Sequence, residues 1–234
     1  MKKVLVTGGS RGIGKAIADR FVGNGCDVTI ACTGMPTLPY YDDREVRTVD
    51  FTSDRSTSMF VDHVVRGGYD IVVNNAGINI IEPLDDIMHE DFERVQKVNL
   101  HAPFRVSQAA AKSMVRKGWG RIVNIASIWS VVTKAGRVSY TTSKSGLVGM
   151  TRTMAVELAP FDVVVNSVSP GFTMTDLTRD SLTGEQIRDL ALQVPMGRFA
   201  DPDEIAQLVL FLCSVDNTYI VGQNIVIDGG FTNV

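Results

Sequence analysis

The sequence predicts an α/β fold, a parallel sheet with helices on both faces. Three observations carry that prediction. Short Val- and Ile-rich runs read as near-continuous apolar stretches, the pattern of strands buried on both sides. Segments with helical spacing separate these runs, which is the order that parallel crossovers require. A glycine-rich turn, TGGSRGIG at 7–14, joins the first run directly to the first helical segment.

The elements follow in order. KVLVTGG is an apolar run closed by glycines and gives the first strand. In GIGKAIADRFVGNG, Ile13, Ile17, Phe21 and Val22 recur at helical spacing, and Gly25 suits the stop. CDVTIACT is the second strand. Residues 34–45, GMPTLPYYDDRE, hold two prolines and no helical pattern. An irregular or one-turn crossover is expected there, where a helix is usual. VRTVDFT is the third strand, residues 55–66 are helical, and YDIVVNNAG is the fourth strand. Residues 84–117 are periodic and mostly helical, GRIVNIAS is the fifth strand, and a helix runs from about Ser139 to Leu158. DVVVNSVSPG, the helix DEIAQLVLFLCS and the strand QNIVIDGG complete the chain. No repeat, low-complexity tract or linker interrupts it, so residues 1–234 are expected to form a single domain.

Composition narrows the function classes. The chain has 234 residues, enough to bury a substantial core, with 44% apolar and 21% charged residues. A net charge of −3 without a clustered basic face argues against nucleic acid. No run approaches the roughly 18 apolar residues of a membrane span. Lys2 and Lys3 precede only Val4–Val6, too short for a secretory leader. Cys26, Cys32 and Cys213 are widely spaced and show no CxxC, as buried or incidental thiols of a reducing compartment would. A cytoplasmic protein is expected. His63, His89 and His101 are scattered without ligand spacing, so no catalytic metal is expected.

The glycine turn is a candidate pyrophosphate site. Gly8, Gly12 and Gly14 permit a tight turn and close backbone approach, and the following helix offers unpaired N–H groups and its positive dipole end. Ser10, Arg11 and Ile13 share the turn. The spacing is TGxxxGxG rather than GxGxxG. The second strand ends ACTG, without the acidic residue that grips a ribose 2′-hydroxyl. Arg11 could pair with a 2′-phosphate and Thr33 could donate to it. These residues favour NADP(H) over NAD(H). Asp42 and Asp43 could fold back and oppose that preference.

The stretch SYTTSKSG at 139–146 places Tyr140 and Lys144 on one helical face, surrounded by small residues that suit close packing. In order along the chain stand TGGSRGIG, NNAG at 74–77, Asn99 in KVNL, Ser127 in NIAS, YTTSK, SPGFTMT at 169–175 and a terminal IVIDGG. In this combination the sequence resembles the short-chain dehydrogenase/reductase family over essentially its whole length. The resemblance implies a Rossmann-type sheet of seven parallel strands, a nicotinamide cofactor, hydride transfer at a carbonyl or alcohol carbon, and a homotetramer or homodimer. It implies a catalytic set of Asn99, Ser127, Tyr140 and Lys144.

The chemistry suits those residue types. A free phenol titrates near ~10, too high for efficient acid–base work at neutral pH. A nearby ammonium favours the phenolate and lowers that value. Tyr140 is therefore expected as the acid/base, with Lys144 lowering its pKa and also holding the nicotinamide ribose. Ser127, at the end of the fifth strand, can stabilise charge on the same oxygen. By resemblance Asn99 holds a water linked to Lys144. Further cofactor contacts follow by match: Asp50 and Phe51 at the adenine, Asn74, Ala76 and Gly77 after the fourth strand, and Pro170, Gly171, Thr173 and Thr175 after the sixth. The alternative for Asp50 is a strand-end turn former.

Residues 173–200 match the family's mobile lid, with Met174, Leu177, Leu190, Leu192 and Met196 as its apolar members. Trp129, Val131 and Val132 are expected in the same pocket. VPMGRFADPDEIAQLVLFL, SPGFTMTD and GRIVNIAS resemble 3-oxoacyl-thioester reductases. Those enzymes carry arginines where this chain has Gly118 and Phe161, although Lys112, Arg116 and Lys117 lie close by. Docking of an acyl carrier protein is therefore doubtful. A coenzyme A ester, a sugar, a polyol or a small secondary alcohol or ketone remains open, as does a non-catalytic dinucleotide sensor. Arg137, three residues before Tyr140, could contact an anionic substrate, but a solvated side chain is the favoured expectation.

Overall fold

The computed structural model describes residues 1–35 and 43–234. Seven strands form one sheet: β1 (Lys3–Thr7), β2 (Asp27–Cys32), β3 (Glu45–Thr48), β4 (Ile71–Asn74), β5 (Gly120–Ile125), β6 (Val163–Pro170) and β7 (Asn224–Ile227). Their order is β3-β2-β1-β4-β5-β6-β7, and every neighbouring pair is parallel. The order reverses between β1 and β4, so a crevice opens beyond their carboxyl ends.

The two faces carry separate cores because side chains alternate along each strand. Leu5, Val72, Ile122 and Val165 face α2 (Asp54–Gly67), α4 (Ala102–Lys117) and α5 (Val138–Leu158). Val4, Val6, Val73 and Val123 face α1 (Gly12–Gly23) and α8 (Pro202–Cys213). Helix ends are marked in the sequence. Ser53 caps α2 by accepting from the Ser56 N–H at 3.3 Å. Asp201 and Glu204 form a capping box at α8, with Pro202 in its first turn.

The long helical stretch expected over 84–117 is interrupted. It begins with α3 (His89–Gln96), passes through one π-helical turn at Lys97–His101 and continues as α4. The turn carries Asn99, in keeping with the tendency of π-bulges to mark functional positions. Residues 173–200, the expected lid, hold two short helices, α6 (Asp176–Ser181) and α7 (Gly184–Ala191). The irregular crossover expected at 34–45 falls largely outside the described residues.

Candidate active site

The glycine turn packs too closely for any side chain at Gly14. A Cβ there would lie 2.2 Å from the Gly8 carbonyl oxygen and 2.4 Å from Asn75 Nδ2. Gly8 and Gly12 have positive φ of 67° and 54°. The turn forms one wall of a cleft of about 370 Å³. Gly8, Ser10, Arg11, Gly12, Ile13 and Gly14 line it, with Thr33 after β2, Asp50 and Phe51 after β3, Ala76 and Gly77 after β4, and Thr175.

Six of the expected contacts, Asn74, Tyr140, Lys144, Pro170, Gly171 and Thr173, are not part of this lining. Asn74 points into the core, donating to Ser107 Oγ at 2.9 Å and Asn124 Oδ1 at 2.8 Å. Its neighbour Asn75 lines the cleft instead and donates to the Thr7 and Gly8 carbonyls at 3.0 and 3.1 Å. Strand alternation decides between the two amides. Pro170 and Gly171 end β6 outside the cleft lining, and Gly171 donates to the Ile227 carbonyl at 2.9 Å. Thr173 is buried and donates to the Gly171 carbonyl at 3.2 Å. Asp50 both lines the cleft and shapes its own turn, accepting from the Thr52 N–H at 2.9 Å and hydroxyl at 2.7 Å. Those bonds hold its carboxyl below the usual range. Cys32, Val49, Thr52, Ile78 and Val98 line the cleft without having been expected. Apolar strand-end residues give no chemical signal in a sequence.

Asp43, which could have opposed a 2′-phosphate, is turned to Arg44 at 2.7 Å, and Arg44 reaches Asp19 of α1 at 2.7 Å. Asp42 lies outside the described residues.

The inner end of the cleft meets two of the catalytic candidates, Asn99 and Lys144. A Cβ on Gly77 would stand 3.4 Å from Asn99 Oδ1 and 3.6 Å from Lys144 Nζ. Asn99 is fully buried and holds Ile78 at two points, accepting from its N–H at 2.9 Å and donating to its carbonyl at 2.9 Å. It also donates to Ser143 Oγ at 3.1 Å. The small residues of α5 permit this approach: a Cβ on Gly146 would lie 3.0 Å from Leu100 of the π-helical turn.

Lys144 is 4% exposed, and its Nζ donates to the Ile125 carbonyl at 2.7 Å. Burial pulls its pKa down to about 8. Burial pushes the Tyr140 phenol up, against a hydrogen bond from Ser127 and the charge of Arg137. The expected lowering of the phenol by Lys144 is thus corrected. The ammonium lies 5.7 Å from the ring centroid and is engaged elsewhere, and the groups opposing burial are Ser127 and Arg137. Ser127 caps a 3-10 turn at Ile128–Ser130 and accepts from the Trp129 N–H at 3.2 Å.

Beyond Ser127 lies a second cavity of about 450 Å³ lined by Trp129, Val132, Lys134, Leu190, Phe172 and Phe231, among others. The end of the chain folds back to supply Phe231, whose ring centroid is 6.3 Å from that of Trp129. Val131, Leu192 and Met196 are 53%, 83% and 63% exposed and do not line it. Met174 lines a separate groove beside α1. Arg137 is half-buried rather than solvated, with its guanidinium 5.5 Å from the Trp129 ring centroid.

A glycine-lined cleft at the sheet's switch point, with Asn99 and Lys144 against its inner end, is the site of a dinucleotide-dependent oxidoreductase. The family model described as enoyl-(acyl carrier protein) reductase matches residues 8–232. The chain is 38% identical to the 3-oxoacyl-[acyl-carrier-protein] reductase FabG of Aquifex aeolicus, over 98% of this chain and 96% of that protein. It is 33% identical to an NAD-dependent glycerol dehydrogenase of Listeria innocua, over 99% and 94%. The solved structure of 4-hydroxyisoleucine dehydrogenase complexed with NADH superposes with a TM-score of 0.94 at 29% identity, covering 100% of both chains. The protein belongs to the short-chain dehydrogenase/reductase family, whose members bind NAD(P)(H). Among the described residues no helix is long and apolar enough to cross a membrane.

Proposed function

We propose that the protein is an NADP(H)-dependent reductase of a 3-oxoacyl thioester. The observation that carries the chemistry is the Ser127 hydroxyl hydrogen-bonded to the Tyr140 phenol, on the same helix as Lys144, which is buried near Gly77 of the cleft. The likeness to FabG supports the thioester.

The fit of a dinucleotide rests on the glycine cradle and the cleft running from Arg11 and Thr33 to Gly77. When bound, the cofactor supplies a hydride to the substrate's carbonyl carbon. The chain's own residues supply the rest. The phenol hydroxyl of Tyr140 can give a proton to the carbonyl oxygen. Ser127 hydrogen-bonds the same oxygen as negative charge develops. Lys144 uses one N–H on Ile125, leaving two donors for the nicotinamide ribose. Asn99 spends its amide on Ile78 and Ser143, which fixes the segment after β4 beside Lys144. Arg11 and Thr33 at the rim, with Asp43 turned away to Arg44, support the 2′-phosphate of NADP(H).

A second reading, oxidoreduction of a sugar, polyol or small secondary alcohol, is favoured by the surface around α4. Gly118 caps that helix at φ 63°, a conformation an arginine there would adopt only with strain. Phe161 is 46% exposed, and Lys117 is held by Asp70 at 2.6 Å. Lys112 and Arg116 stay exposed on α4, so the cationic surface offered to an acidic carrier protein is reduced rather than absent.

The test is a fluorescence titration with NADPH and NADH, followed by a short 3-oxoacyl thioester and a panel of polyols and hydroxy acids. Tyr140→Phe should bind NADPH as the wild type does and lose at least ~100-fold in turnover. Unchanged turnover in Tyr140→Phe would overturn the assignment.

A further inference from the structure

We propose that Arg137 is a substrate-specificity residue that receives a carboxylate carried a few atoms from the reacting carbonyl. The inference rests on the oxidoreductase assignment of Tyr140 and develops the small-substrate reading.

Arg137 directly precedes α5 and is half-buried. Its Nε is buried and has no hydrogen-bond partner. The other guanidiniums most withdrawn from water are paired: Arg44 with Asp19 and Asp43, and Arg121 with Asp162. Among the described residues Arg137 has no carboxylate at ion-pair distance, and burial pulls its pKa below the ordinary arginine value. The Nε edge of the guanidinium is withdrawn from water without a partner, which suits an anion that arrives from outside.

The surroundings say where that anion sits. The guanidinium lies over Trp129, which lines the cavity beyond Ser127, and its charge acts on the Tyr140 phenol. A group bound to Arg137 is therefore part of whatever molecule presents its carbonyl to Tyr140. The fork of a guanidinium matches the two oxygens of a carboxylate. A thioester at the same place is neutral and has no charge to offer. On the small-substrate reading, the substrate class is thus an oxo or hydroxy carboxylate in its free-acid form.

Glu82 is the internal alternative. Its N–H donates to the Gly136 carbonyl at 3.2 Å, next to Arg137 in the chain, and its Oε2 is buried without a partner. The two side chains nevertheless form no ion pair in the structure.

The experiment uses NADPH-loaded protein and a matched pair of probes, acetoacetate and methyl acetoacetate, which share a carbon skeleton and differ in charge. Binding is read from the fluorescence of bound NADPH, and KM and kcat from its oxidation. Wild type should favour the acid by at least ~10-fold. Arg137→Met, which keeps an apolar stem on Trp129, should raise Kd and KM for the acid roughly 10- to 100-fold and leave the ester within about twofold. Arg137→Lys should recover part of the loss. Equal effects on both probes, or a wild type that favours the ester, would overturn the inference while leaving the reductase reading intact. Acid-selective binding with no turnover of either probe would do the reverse. A resident Arg137–Glu82 pair would show as Glu82→Gln weakening stability non-additively with Arg137→Met, and would also overturn it.

Discussion

Lys144 Nζ donates to the carbonyl oxygen of Ile125 at 2.7 Å, tying the second turn of α5 to the last residue of β5. The bond fixes the ammonium where β5 ends and Ser127 follows. It also places a charge at a site only 4% exposed, which pulls the pKa from 10.5 to about 8. The folded state then sheds a proton that the unfolded chain keeps until pH ~10.4. Stability should therefore rise with pH between about 8 and 10.5, where the unfolded state binds more protons. Relative to Lys144→Met, the cofactor-free wild type should gain on the order of 3 kcal/mol across that window, read from denaturant midpoints at its two ends. A difference that does not change with pH would contradict this account.

Two glycines allow a matched comparison. A Cβ on Gly14 would meet the Gly8 carbonyl oxygen at 2.2 Å, whereas one on Gly149 in α5 would meet nothing within 4 Å. Gly14→Ala should lose roughly 1–3 kcal/mol of stability and most of its dinucleotide affinity. Gly149→Ala should gain roughly 0.5–1 kcal/mol and bind normally, because alanine loses less backbone entropy in a helix. Thermal unfolding with and without NADPH reads both effects.

Asn99 tests the joint between the two halves of the site. Truncating it strands the N–H and carbonyl of Ile78 together, and both lie at the inner end of the cleft. Asn99→Ala should cost about 2–4 kcal/mol. It should also speed amide exchange at Ile78 selectively, which a general loss of packing would not do.

Most of this fold was legible because the central strands β1, β2, β4, β5 and β6 are buried apolar runs and most crossovers carry a helical period. The places that escaped were decided by geometry that spacing does not encode. Asn74 and Asn75 are chemically identical, and only the pleat decides which one faces the cleft. The π-helical turn around Asn99 breaks a periodic stretch without a proline or glycine to announce it. Lys144 and Tyr140 share a helical face as their spacing requires, but the ammonium turns to Ile125, so the phenol is governed by burial, Ser127 and Arg137. Phe231 reaches the cavity beside Trp129 from the far end of the chain, a contact no local pattern carries.

Cofactor preference should reside in the rim formed by Arg11 and Thr33, both exposed and both lining the cleft. Arg11 leaves β1 in extended conformation just ahead of α1, and Thr33 directly follows β2. The adenine ribose is held at this edge of open α/β sheets, where an acidic side chain at the end of β2 would accept from a 2′-hydroxyl and repel a 2′-phosphate. Thr33 does neither, and a guanidinium pairs with phosphate through two parallel hydrogen bonds. Arg11→Ala should therefore weaken NADPH roughly 10-fold and leave NADH within about twofold. Thr33→Asp should invert the preference by repelling the phosphate and gripping the ribose. Paired fluorescence titrations with the two nucleotides decide the matter: if Arg11→Ala weakens both equally, Arg11 serves the pyrophosphate rather than the 2′-phosphate, and the preference must be set elsewhere on the cleft.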